Sequence, residues 1–253
     1  MDLQLGGKTA LVTGASAGIG TGIAKALAAE GVRLAIAGRN AAALEAVASD
    51  IAAAGGAKAT IVLGDIAADT GPAGMAEAAL KALGGRVDIL VNNAGGSRPL
   101  QDDADDEVWL ESFNLNFTGA RRLTTRLVPA MKEARWGRII NLTGALTGAK
   151  LNAAGPAKAA LATWSRTLAF ELGPFGITVN TIAPGRINSV QILTKLHPTE
   201  QSRADYIRQN IPAGYFGEPE DVGRLAAFLA SPLARYISGA AIPVDGGAVR
   251  MAF

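Results

Sequence analysis

A chain of 253 residues, 49% hydrophobic and 18% charged, can bury a sizeable core, and its length suits one large α/β domain better than two small ones. Its 24 Lys and Arg against 22 Asp and Glu leave a formal charge of +2 and no basic run, so no nucleic-acid partner is expected. Cysteine is absent and His197 is the lone imidazole, which excludes disulfides and thiolate chemistry and argues against a metal centre or a histidine-based triad.

Aromatic residues make up only 5%, so Ala, Val, Ile and Leu must fill the core, a composition suited to parallel strands buried on both faces. Met1-Asp2-Leu3-Gln4-Leu5 is not a basic, apolar leader, and no apolar run of roughly 18 residues reads as a membrane span. A cytoplasmic protein with no membrane partner is expected.

Short β-rich runs alternate with helical patterns from end to end. Strands are predicted at 9–13, 33–37, 59–63, 87–91, 138–142, 177–180 and 241–244. Between them lie helical patterns at 19–29, up to about 54, 75–83, 107–133 and 154–173. This order implies right-handed crossovers and one doubly wound parallel sheet of about seven strands, with helices on both faces. No linker or repeat divides the chain, so residues 1–253 read as a single domain. Only the stretch 184–219 falls outside the alternation, and its helical pieces suggest a substrate lid.

Thr13-Gly14-Ala15-Ser16-Ala17-Gly18-Ile19-Gly20 lies between the first strand and the first helix. Glycines allow a sharp turn and close approach of backbone to a pyrophosphate, while the helix N-terminus offers free N–H groups to it. The same glycines would serve an ordinary strand–helix turn. Their place directly after a strand and at the head of a helix points to a dinucleotide.

The spacing Thr-Gly-x-x-x-Gly-x-Gly resembles the short-chain dehydrogenase/reductase family. Asp65-Ile66, Asn92-Asn93-Ala94-Gly95, Asn116-Phe117-Thr118-Gly119, Gly176 to Asn180, Pro184-Gly185 and Val244-Asp245-Gly246-Gly247 extend the resemblance along essentially the whole chain. It implies a Rossmann-type fold, a nicotinamide dinucleotide and a small-molecule carbonyl or alcohol substrate. Cofactor contacts are implied at Gly14, Ser16, Ala17, Gly18, Ile19, Gly20, Asp65, Ile66, Asn93, Ala94, Gly95, Lys158, Pro184, Gly185, Ile187 and Ser189. The family also implies a homotetramer built on the helices after strands four and five and on the last strand.

Gly38-Arg39-Asn40 follows strand two, without the carboxylate that would hold ribose hydroxyls and repel a 2′-phosphate. Arg39 therefore favours NADP(H) over NAD(H), the other reading being a solvated surface charge.

The family's Tyr-x-x-x-Lys pair is incomplete here. Lys158 matches the lysine, but Ala154 stands where the phenol is expected and Gly144 where the hydroxyl of a serine is expected. Asn116 and Lys158 remain of the usual catalytic set, and Asn116 is a poor helix former at mid-helix, a misfit of the kind found at functional sites. Several groups are candidates to replace the phenol. Lys158 can act through a water, and Thr143 or Thr147 can offer a hydroxyl. Lys150 or Asn152 lies on the shortened loop, and Tyr206, His197, Arg186 or Gln191 on the lid. Blander readings stand beside these: Thr143 as a strand-end hydroxyl meeting backbone, Lys150 as a loop charge, His197 as an exposed loop residue, Tyr206 as packing. Arg186, Lys195 and Arg203 would favour an anionic substrate if they line the pocket. The expected function is an NADP(H)-dependent carbonyl reductase or alcohol dehydrogenase with a nonstandard proton donor. The alternatives are a non-redox lyase or isomerase, or a silent NADP(H)-binding protein.

Overall fold

The computed structural model describes residues 1–100, 105–144, 151–190 and 192–249, and of Lys195 the backbone alone. Every residue of β1 (Thr9–Thr13), β4 (Ile89–Asn92), β5 (Gly137–Leu142) and β6 (Ile177–Pro184) is buried. Strands of this kind need cover on both sides. They form the centre of an all-parallel sheet completed by β2 (Arg33–Gly38), β3 (Thr60–Leu63) and β7 (Ala241–Val244). The strand order is β3-β2-β1-β4-β5-β6-β7.

One face is covered by α1 (Gly18–Ala29), α2 (Ala41–Ala53) and α8 (Pro219–Ala230), through Ile23, Leu27, Leu44, Ile51, Val222 and Leu229. The other is covered by α3 (Gly71–Leu83), α5 (Gly119–Glu133) and α6 (Ala154–Leu172), through Met75, Ala79, Leu123, Leu127, Ala169 and Leu172. The remaining helices are α4 (Asp106–Phe113), just ahead of α5, and α7 (Glu200–Asn210), in the segment between β6 and α8. No helix among the described residues is long and apolar enough to cross a membrane.

The predicted strands agree with the observed ones except that β4 is displaced toward its C-terminal end and β6 runs on beyond residue 180 to Pro184. The helix expected at 107–133 is continuous in space but contains a π turn, Asn114–Thr118, in which the Gly119 N–H donates to the Asn114 carbonyl. The periodicity names no separate helix at α8. Local chemistry explains its start: Pro219 occupies the first turn, and Glu218 and Asp221 form a reciprocal capping box.

Helix α8 meets α1 at backbone contact. A Cβ on Gly22 would lie 2.5 Å from the Pro219 backbone, and one on Gly223 would lie 2.6 Å from the Gly22 carbonyl oxygen. Neither position has room for a side chain without separating the helices. Gly223→Val is expected to lose about 1–3 kcal/mol of stability by overpacking. A urea midpoint that falls with an unchanged slope is the check, and an unmoved midpoint would show that the contact is dispensable.

Candidate active site

The sheet order reverses at β1, which pairs with β2 on one side and β4 on the other. In open α/β sheets the crevice at the carboxyl ends of such strands is where ligands bind. The glycine turn rises from β1 at this point, and Asn93-Ala94-Gly95 leaves β4 beside it.

The two segments are laced together. The Asn93 side-chain amide donates to the carbonyls of Thr13 (2.9 Å) and Gly14 (3.0 Å). In return the N–H groups of Asn93 and Ala94 donate to the Thr13 hydroxyl, at 3.0 and 3.1 Å, and that hydroxyl donates to Val91 O. Gly14 has φ +64°, and a Cβ there would lie 2.9 Å from Ala94 Cα. At Gly20 it would lie 2.2 Å from the Gly14 carbonyl oxygen. Close approach requires both glycines, and conformation requires Gly14 as well.

Helix α1 then begins at Gly18 with Ala17 extended ahead of it, no side-chain cap and no acidic residue in its first turn. Its leading N–H groups and positive dipole end are left for an anion. The glycine cradle and this uncapped helix start fit the pyrophosphate of a dinucleotide. Ser16 Oγ faces the end of β2, 3.7 Å from the Cβ position of Gly38. Ile19 packs against the apolar core. Further along the rim, Arg39 is exposed and its Nη1 lies 3.6 Å from Asp65 Oδ2. Asp65 Oδ1 accepts from the Ala67 N–H, and Ile66 turns its side chain into the core.

At the other end of the crevice, Lys158 Nζ lies 3.4 Å from the Cβ position of Gly144, and the Pro184 carbonyl oxygen lies 3.8 Å from the same point. Burial lowers the Lys158 pKa below the ordinary lysine value. Ala154, one turn earlier on α6, is buried. Gly185 donates its N–H to Val244 O, and Asp245 lies where its Cβ would be. Ser189 reaches the glycine turn, its Cβ 3.2 Å from the Cβ position of Gly18. Ile187 is a core residue whose backbone bridges to Gly217.

Asn116 sits within the π turn and is buried. Its Oδ1 accepts from the Gly96 N–H at 2.9 Å, and its amide donates to the Ser112 carbonyl and hydroxyl. Its side chain therefore ties the loop after β4 to the π turn, an irregularity frequent at functional sites. Below it a buried chain crosses the sheet. Asn92 donates to Thr124 Oγ1 and Asn141 Oδ1, Asn141 donates to Ser165 Oγ, and Ser165 donates to Leu161 O. This chain sets the position of α6, which carries Lys158, against β4 and β5. Alternating polar residues inside apolar strands were its only sequence signal.

Three expectations change. Thr143 is not presented to the crevice: it is buried, and its hydroxyl donates into the sheet, to Ile182 O at 3.3 Å. Asn152 is engaged elsewhere, accepting from the N–H groups of Arg98 and Ala154 and donating to Ser97 Oγ. His197 is only partly exposed, with Nε2 enclosed, and its ring packs at a tilt against Tyr206 and Phe216. Thr147, Lys150, Gln191 and the Lys195 side chain lie outside the described residues. No cluster of potential metal ligands occurs among the described residues.

Such a crevice, on such a sheet, fits a dinucleotide, and comparison with known proteins identifies the class. The family profile of enoyl-(acyl carrier protein) reductase matches residues 14–249. The 3-oxoacyl-acyl-carrier-protein reductase FabG of Pseudomonas aeruginosa is 39% identical over 250 residues, 97% of this chain and 98% of the relative. The crystal structure of L-sorbose reductase from Gluconobacter frateurii, complexed with NADPH and L-sorbose, superposes with a TM-score of 0.94 at 31% identity over 100% of both chains. A 7α-hydroxysteroid dehydrogenase complexed with NADH and 7-oxoglycochenodeoxycholic acid gives 0.91 at 34% identity, over 99% of this chain and 97% of that one. The chain belongs to the short-chain dehydrogenase/reductase family of oxidoreductases.

The buried lysine leaves a signature in stability. Its folded pKa is lowered, whereas the unfolded chain keeps the ordinary value, so unfolding takes up a proton between the two. Stability contributed at this site therefore rises with pH through that window and levels off above the unfolded value. Lys158→Met is expected to be more stable than the native chain at neutral pH, with the gain shrinking toward the ordinary lysine pKa. Urea unfolding of both proteins across that range tests this; a constant difference would mean that the amine is not desolvated.

Proposed function

We propose that the protein is an NADP(H)-dependent carbonyl reductase or alcohol dehydrogenase in which Lys158, acting through a water, replaces the missing phenol. The carrying observation is the position of the Lys158 amine, buried against Gly144 and Pro184 at the end of the glycine-lined crevice. The nicotinamide, when bound, exchanges a hydride with the carbon of a small-molecule carbonyl or alcohol.

The chain's own residues hold and move the proton. Burial makes the Lys158 ammonium a stronger acid than an ordinary lysine, so it releases a proton more readily. Ala154 leaves space in the first turn of α6 for a water to carry that proton to the substrate oxygen. Asn116 holds the π turn that faces α6. Losing a positioned general acid costs roughly 10²–10⁴ in rate, so turnover is expected to be slow unless this relay recovers the loss. The residues assigned to the dinucleotide run from the glycine turn through Asn93 to Gly95, to Pro184, Gly185 and Ser189. The segment 184–219 covers the substrate. The exposed rings of Phe170 on α6 and Tyr236 ahead of β7 support a homotetramer built on those elements.

Arg39 carries the preference for NADP(H). Its contact with Asp65 is long and solvent-exposed, worth little, and easily exchanged for a 2′-phosphate. The neighbouring α2 helix opens with Asn40 as its cap and no acid in its first turn. Arg39→Ala is expected to weaken NADPH binding about 10–100-fold with little effect on NADH, by titration of the reduced cofactor's fluorescence. Equal losses for both cofactors would remove the assignment.

Turnover is tested by NADPH oxidation against a carbonyl panel, using the native chain, Lys158→Ala and Ala154→Tyr. Native activity that disappears in Lys158→Ala is expected. Activity that appears only in Ala154→Tyr would favour a silent NADP(H)-binding protein, the reading suggested by Ala154 and Gly144.

A further inference from the structure

Helix α5 buries Leu123, Leu127 and Met131 and keeps Arg121, Arg122 and Arg126 at its surface. The three arginines line an open cavity of about 600 Å³, to which Asp69 and Pro72, at the start of α3, also contribute. Pockets that take small molecules run from about 300 to 1,000 Å³, so this one is of ligand size. None of its lining residues is among those assigned to the dinucleotide.

The two sets of lining residues are held together by backbone. A Cβ on Gly119, two residues before Arg121, would lie 2.3 Å from the Ile66 carbonyl oxygen. The head of α5 is thereby pressed onto the segment that runs from Asp65 into α3.

The charges in the cavity do not balance. Asp69 is the one carboxylate on its wall. It accepts from Arg122 Nη1 at 3.1 Å, but its side chain is 93% exposed, so the pair is weak and exchangeable. Arg121 and Arg126 have no ion pair or side-chain hydrogen bond among the described residues. Arg122 and Arg126 stand one turn apart, where like charges repel. Three cations against one carboxylate match the formal +2 of the whole chain, so the excess is gathered here and not spread over a basic surface. A local misfit without an internal gain is expected at a functional site.

The donors on the wall define the ligand. The Thr125 hydroxyl already donates to the Arg121 carbonyl, at 3.0 Å, and Pro72 and Pro129 carry no N–H. The guanidiniums are what a ligand meets, and their planar forks pair with phosphate and carboxylate oxygens. A single carboxylate would meet only part of the excess charge.

We infer that the cavity between α5 and the start of α3 is a second ligand site, separate from the dinucleotide crevice, for a small anion bearing two or more phosphoryl or carboxylate groups. The inference does not depend on the oxidoreductase chemistry.

The full-length protein is titrated by calorimetry with tripolyphosphate and with citrate, in the presence of saturating NADPH so that the crevice is filled. One site per chain is expected. The double substitution Arg121→Gln/Arg126→Gln is expected to weaken it about 10–100-fold, while Arg33→Gln, at an exposed arginine on β2, leaves it unchanged. Binding of tripolyphosphate alone assigns phosphoryl groups to the ligand, and binding of citrate extends the assignment to carboxylates. A urea midpoint of the doubly substituted chain no lower than the native one shows that it is folded. No binding of either probe, equal binding by the native and doubly substituted chains, or an equal loss in Arg33→Gln overturns the site. So does a double substitution that changes only the sedimentation of the chain, since the arginines would then meet a second copy. If the chain takes up no NADPH the cofactor reading fails, whereas the comparison of native and doubly substituted chains still decides this site.

Discussion

The side-chain amide of Asn93 joins the two strands between which the sheet reverses its order. By donating to both Thr13 and Gly14 it holds the turn after β1 against the loop after β4. Much of the site follows from this contact. Gly14 and Gly20 must lack side chains because the amide and the turn it holds occupy the space around them. Once the turn carbonyls are used in this way, the first N–H groups of α1 are the polar groups left facing the crevice. A site for an anion is thus made from backbone, without any cationic side chain in the turn itself.

The opposite end of the crevice is built on different terms. Here a buried amide and hydroxyl chain, from Thr124 through Asn92 and Asn141 to Ser165, holds α6 in register with the sheet. The helix carries Lys158 into a desolvated place, and desolvation rather than a carboxylate partner changes its acidity. The phosphate end therefore relies on hydrogen bonding, the chemical end on burial. Neither Ala154 nor Gly144 carries a polar side chain at this end, whereas Asn93 and Thr13 supply the hydrogen bonds at the other.

Most of the architecture was legible because strand burial and helix periodicity are local signals. β1 could be read residue for residue, since each of its positions is apolar or Thr and each is buried. The relation of Ala154 to Lys158 was legible for a similar reason, as the two lie a single turn apart on one helix. Three other features depend on distant partners. The direction of the Thr143 hydroxyl depends on Ile182 in the next strand. The engagement of Asn152 depends on Ser97 and Arg98, which arrive from the loop after β4. The enclosure of His197 depends on Tyr206 and Phe216, contributed by α7 and by the approach to α8. Nothing within a few residues of any of these positions reports such neighbours. The π turn was foreshadowed by the misfit of Asn116 in a helix, though its hydrogen-bond shift was not.

The glycine contact between α1 and α8 bears on how the segment between β6 and α8 is held. The segment from Arg186 to Phe216 leaves the fold at the end of β6 and returns at the head of α8. Its first anchor is fastened to β7 by the hydrogen bond from Gly185 to Val244. Its second is pressed against the helix that follows the glycine turn. Each anchor is therefore fixed by an element outside the segment, the edge strand β7 at one end and α1 at the other. The stretch between them is thus held at both ends by sockets that belong to the sheet and to the helix after the glycine turn.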